Sequence, residues 1–245
     1  MRREVQSVLL FLVGGTMVKI GLTGTYVRYV RVGLGPYLIA AGVVLVVVGL
    51  ASLCQPLFAR ADVTPPAADG HQHGHGRFDV VWLLLAPVFA LLVIAPPALG
   101  SYAASRSGTD LRALASTNYP PLPDGDPVRL SVLDYATRAV FDQGRSLGSR
   151  TVTMSGFLVA DDHGGWYLTR MVIMCCAADA RPIKVGLAGD LAAEMPGGPR
   201  PDAWVQVTGR YTAQTGADAV NHERIPYVRV LTVEPIPAPA HPYEA

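Results

Sequence analysis

The sequence predicts an α + β membrane protein, with three transmembrane helices followed by a small five-stranded β-barrel domain that has one preceding helix. Three observations lead there. Apolar runs of membrane-crossing length fill the first hundred residues. Charged residues make up 16% of the 245-residue chain, against ~25% in ordinary soluble domains. Beyond residue 150 the hydrophobic pattern changes from long runs to alternation, with turn signals between short segments.

The first apolar run, expected to span about residues 6–27, is interrupted by Lys19. Two readings of Lys19 stay open: a displaced span in which it reaches the interface, and a polar contact with a partner membrane protein. Gly14, Gly15, Gly21 and Gly24 offer close-approach surfaces for a neighbouring helix. The second span is expected over 36–54, and the short link between the two makes them an antiparallel hairpin. Tyr26, Arg28, Tyr29, Arg31 and Tyr37 stand where interfacial anchors belong. Arg2 and Arg3 resemble the start of a signal peptide, but no small-residue cleavage site with a polar mature start follows. Cys54 closes the second run as a small hydrophobe.

A polar loop over 55–78 carries His71, His73 and His75 between glycines and a glutamine. Such a tract can collect transition metals loosely, or its histidines are incidental to a loop. A third span is expected over 79–99, ended by Pro96-Pro97. Residues 1–100 are thus the membrane domain. The arginines flanking the spans divide evenly, four on each side. Arg2-Arg3 at the start of the chain places the N-terminus inside and the C-terminal domain outside the cytoplasm, in a multi-pass cell-membrane protein.

Residues 101–127 are expected to be a Pro-rich linker, with Pro120, Pro121, Pro123 and Pro127 barring regular structure. The soluble domain is 128–245. A helix from Ser131 to Phe141 presents Val132, Leu133, Ala136, Ala139 and Val140 on one face; Ser131 caps it and Gly144 ends it. Strands are expected over Thr151–Val159, Trp166–Met174, Ile183–Leu187, Ala203–Thr212 and Tyr227–Val233. Five strands at this spacing fit an OB-like Greek-key barrel, as does V-x-V-x-G-R-Y at 205–211. Gly156 and Gly209 would lie at its tight bends. Single-strand binders of that fold need a basic groove with exposed aromatics. Here Lys184 is the only lysine after residue 100 and the net charge is +1, so no nucleic-acid partner is expected.

The most chemically pointed stretch is Arg170 to Lys184, RMVIMCCAADARPIK. In a continuous strand, Cys175 and Cys176 would face opposite sides as small hydrophobes. A metal site would need a bend that brings a thiolate, Asp179 and a histidine together, His222 before His163. Zn or another transition metal is the candidate cofactor. A thiol redox or nucleophilic role would draw on Arg170 and Arg181 to lower a thiol pKa. Asp179 also suits a turn residue, with Arg181 as its salt-bridge partner.

The order of motifs carries a resemblance. Leu22-Thr23-Gly24 precedes the first loop; Asp134-Tyr135-Ala136, Ser155-Gly156-Phe157 and T-R-x-x-I-x-C-C-A-A-D-A (Thr169 to Ala180) follow. Trp204 to Gly209 reads W-V-x-V-x-G, and Ile236-Pro237 with Pro242-Tyr243 closes the chain. This resembles the YcgQ-like family of uncharacterised bacterial membrane proteins, a domain of unknown function with a CCxxDA motif. The family is generally encoded beside a multi-span permease. The resemblance therefore implies a permease subunit, with Cys175, Cys176, Asp179 and Arg170 as its marked positions. The expectation is a non-enzymatic accessory subunit, in the lipid bilayer beside a multi-span permease, binding a metal ion through its soluble domain. The alternatives are a membrane-anchored thiol/redox protein, or an anchored OB-like binding module with structural cysteines.

Overall fold

The computed structural model describes residues 3–58, 89–90, 94, 96–112, 118–161, 164–195 and 197–244. The chain divides into two compact units. One comprises residues 1–26 and 32–97, and the other Val27–Arg31 with Ala98–Ala245.

Among the described residues, the two long helices of the first unit are α1 (Arg3–Leu22) and α2 (Gly35–Phe58). They pack along glycines, as the small residues of α1 suggest. A Cβ on Gly14 would lie 2.7 Å from the Gly42 carbonyl, and one on Gly49 3.0 Å from that of Ser7. Within α1 the Thr16 hydroxyl donates to the Leu12 carbonyl at 2.6 Å, so this polar side chain is satisfied inside its own helix.

Three transmembrane helices were expected. Among the described residues one helical stretch, Val32–Cys54, is long and apolar enough to cross a membrane. The first helix is shorter than expected because the chain turns at Thr23-Gly24. Thr23 Oγ1 donates to the Lys19 carbonyl, and Gly24 takes φ +72°, a left-handed conformation that glycine adopts without Cβ strain. Its apolar part runs Gln6–Leu22. Lys19 thus falls in the last helical turn, where a cation meets the negative end of the helix dipole. His71, His73 and His75, and most of the expected third span, lie outside the described residues. The exposed valines 43, 44, 47 and 48 of α2 are compatible with a membrane anchor.

The second unit is built on a closed five-stranded barrel. Its strands are β2 (Thr151–Ala160), β3 (Trp166–Val172), β4 (Arg181–Ala188), β5 (Trp204–Ala217) and β6 (Arg224–Pro235). They close in the order β2-β5-β6-β4-β3, with β3 returning to β2. The β4–β6 pair is parallel and the other barrel pairs are antiparallel. This connectivity is compatible with the OB-like type. Two-residue strands flank the barrel: β1 (Val128–Arg129) beside β2 and β7 (Tyr243–Glu244) beside β3. Gly156 and Gly209 do sit where backbones crowd. A Cβ there would come within 2.6 Å of the Thr169 carbonyl and 2.5 Å of the Arg229 carbonyl.

Among the described residues this unit also holds helices α3 (Ser101–Arg106) and α4 (Val132–Phe141) and the short turn of helix α5 (Leu191–Glu194). Helix α4 begins as expected, Ser131 Oγ accepting the Asp134 amide at 2.9 Å. Its buried Tyr135 donates to the Tyr227 carbonyl across the core at 2.7 Å. The stretch expected as a linker is not a free tether in its described parts. Ala104, Thr109 and Leu111 are buried. Arg138 donates to the Pro120 carbonyl at 3.0 Å.

Candidate functional site

The site forms where β3 stops. Ile173 remains buried and its amide donates to the Glu244 carbonyl at 3.1 Å. The chain then bends, so the expected strand end at Met174 falls outside β3. Met174 and Cys175 are exposed, Cys176 is half-buried, and a 3₁₀ turn follows over Ala177–Asp179.

Asp179 makes the bend. Its Oδ1 accepts the Met174 amide at 3.0 Å, and its Oδ2 accepts the amides of Cys175 at 2.8 Å and Cys176 at 3.4 Å. A carboxylate can satisfy several main-chain donors that a bend leaves without strand partners. The Cys175 thiol, together with these amides, holds the Asp179 carboxyl down at about 2.

This bend overturns the alternation expected for neighbouring strand residues. Cys175 and Cys176 do not point to opposite faces. Their Sγ atoms lie 3.6 Å apart, the Cys175 thiol donating to the Cys176 sulfur. Both thiols are free. The two sulfurs and an Asp179 oxygen all lie within 4.8 Å of one another. The Asp179 carboxylate, with the Cys176 sulfur, pushes the Cys175 thiol up to about 11.

Other expected site residues go elsewhere. His222 is exposed in the β5–β6 turn with φ +60°, and no histidine joins the clustered donor atoms among the described residues. Arg181 pairs with Asp110 and not with Asp179. Arg170 is buried and makes its contacts with other groups. It stacks over the Trp204 ring at 4.9 Å, donates to the His241 carbonyl at 3.1 Å and lies 3.6 Å from Glu244. His163, like His71, His73 and His75, is outside the described residues.

Sequence reasoning missed what holds the turn from behind. Residues 29–31 run antiparallel to it. The Arg31 amide donates to the Cys175 carbonyl at 3.0 Å, and the Ala177 amide to the Tyr29 carbonyl at 2.7 Å. The Tyr243 hydroxyl donates to the Arg28 carbonyl at 2.9 Å and accepts the Leu99 amide at 3.0 Å. Glu244 accepts the first amides of α4, Val132 at 3.0 Å and Leu133 at 3.1 Å. Tyr243 carried a signal through the closing P-Y pair, while Arg28, Tyr29 and Arg31 were marked only as interfacial anchors. A polar cleft of ≈ 390 Å³ adjoins the turn, lined by Asp179, Arg181, Asp110 and Asn221 among others.

No curated protein and no solved structure matches the chain significantly. Residues 139–244 match the family model described as DUF1980 C-terminal domain. The barrel, from the end of α4 to β7, is thus similar to an uncharacterised domain family.

Proposed function

We propose that the protein is a membrane-anchored accessory subunit of a multi-span permease, and that its barrel binds a soft transition metal ion at Cys175 and Cys176. The observation that carries the metal reading is the 3.6 Å separation of the two Sγ atoms on one exposed turn. Two thiolates bound to one ion at ~2.3 Å each would stand about 3.8 Å apart in tetrahedral geometry. The turn therefore needs little movement to grip an ion. The thiol-enzyme alternative is less well supported, because a nucleophilic cysteine depends on a depressed pKa and that of Cys175 is raised.

The permease reading rests on the sequence resemblance and on apolar helix α2. The pairing of the thiol turn with residues 29–31 adds a physical route: those residues follow α1 and precede α2 in the chain. Metal binding at Cys175 and Cys176 would stiffen a turn whose main chain is hydrogen-bonded to that segment.

The test uses the full chain in detergent, because Val27–Arg31 and the 98–112 stretch are part of the barrel unit. Elemental analysis should find about one Zn or Cu per chain, lost in Cys175→Ser/Cys176→Ser. Cross-linking in membranes should capture a multi-span protein. Metal-free wild type would end the metal reading, and capture of no integral membrane protein would end the permease reading.

A further inference from the structure

Resting on that reading, we infer that the ion is monovalent copper and that the Met174 thioether is its third ligand. The donor set at the turn is narrower than the residue list suggests. Both Asp179 oxygens already accept main-chain amides, from Met174 on one and from Cys175 and Cys176 on the other. Asp179 is therefore the brace of the turn. With three amides on its roughly four lone-pair sites, Asp179 has little left to offer, and the soft donors at the turn are the sulfur pair, to which the described residues add no histidine.

A structural Zn²⁺ site normally closes with four N or S ligands. Cu(I) is a soft ion that accepts a lower coordination number and favours thiolate and thioether donors. The sequence supplies a thioether at the right place: Met174-Cys175-Cys176 is an unbroken run of sulfur side chains. Met174 is 64% exposed, so it is not committed to the core. Its amide is pinned by Asp179 at 3.0 Å, which fixes the root of the side chain beside the thiols. Three rotatable bonds then let the sulfur swing. A core-filling role would bury this side chain, as Met154 and Met171 are buried.

The test compares wild type, Met174→Leu and Cys175→Ser/Cys176→Ser as full chains in detergent, kept reduced. Leucine keeps size and apolarity at an exposed position, so the fold is preserved. Cu(I) affinity is read by competition with bicinchoninate, Zn²⁺ affinity by competition with a chromogenic chelator, and sulfur ligation by X-ray absorption. Met174→Leu should weaken Cu(I) at least ~10-fold, remove one sulfur from the shell and leave Zn²⁺ unchanged. Unchanged Cu(I) affinity and sulfur count in Met174→Leu would overturn the inference while leaving the metal reading standing. Failure of wild type to bind either ion more tightly than the double cysteine variant would overturn both.

Discussion

Two clusters of reactive side chains in the barrel unit behave in opposite ways. Lys184 and Asp218 form a buried ion pair, Nζ to Oδ2 at 2.8 Å. Asp218 also accepts the Thr109 amide at 3.0 Å and the Val220 amide at 2.8 Å, while Lys184 donates to the Ser107 carbonyl at 2.9 Å. The Asp218 carboxylate thus gathers Thr109, Lys184 and Val220 from three separate parts of the chain. The thiol turn instead has a brace that accepts three main-chain amides and two sulfurs 3.6 Å apart, one on an exposed and one on a half-buried cysteine. A closed polar cluster fastens the 107–109 stretch to the barrel. An open one gathers donors without consuming them. That contrast separates a structural role from a binding role better than residue type does.

The largest expected effect breaks the closed cluster. Lys184→Met leaves Asp218 buried without its cation and should cost ~3–5 kcal/mol, read as a lowered midpoint in denaturant unfolding. Cys175→Ser/Cys176→Ser should do the reverse. It should abolish metal binding while shifting thermal unfolding of the metal-free protein by no more than ~2–3 °C. Equal destabilisation by both changes would erase the contrast.

Asp179→Asn sharpens it. The sulfurs stay, but the acceptor for three amides weakens, so metal affinity should fall by ~10–100-fold, as when a ligand-orienting group is lost. Chelator competition reads this directly.

The pH dependence has a defined sign. Asp179 is held below its ordinary 3.8 at about 2. Its contribution is complete above the ordinary value and is lost as pH falls from about 4 through 2. Cys175 is raised from 9.0 to about 11. Its contribution is complete below 9 and is lost as pH rises through 11. At neutral pH the Cys175 thiol therefore carries its proton. Metal binding should release at least one proton per ion, measurable by calorimetry in buffers of different ionisation enthalpy.

The smallest effect belongs to Tyr243→Phe. It removes the hydroxyl that joins Arg28 and Leu99, at a cost of ~1 kcal/mol, and should speed amide exchange at Leu99.

Much of the barrel was legible because local periodicity encodes it. The helix from Val132 to Phe141 and all five barrel strands fall within a few residues of their expected positions. Strands β1 and β7 were not legible, since two residues make no period. The site was half legible. Cys175, Cys176 and Asp179 stood out as residue types, but strand alternation gave the thiols opposite faces. The short side chain of Asp179, folded back by the 3₁₀ turn onto three amides, holds the bend that reverses that. Arg181 found Asp110 and Arg170 found Glu244 because tertiary closure brings distant segments together. Spacing along the chain does not record such pairs. At the other end, α1 fell short of its expected span because Gly24 stopped it, a turn signal the apolar run overshadowed.

The decisive measurement is a titration of the reduced full-length chain with Cu(I) and, separately, Zn²⁺, followed by the ultraviolet metal–thiolate charge-transfer band. One equivalent per chain with sulfur-based absorption, absent in Cys175→Ser/Cys176→Ser, is the expected result. No band in wild type, or one of equal strength in the variant, would contradict the assignment of the thiol turn as a metal site.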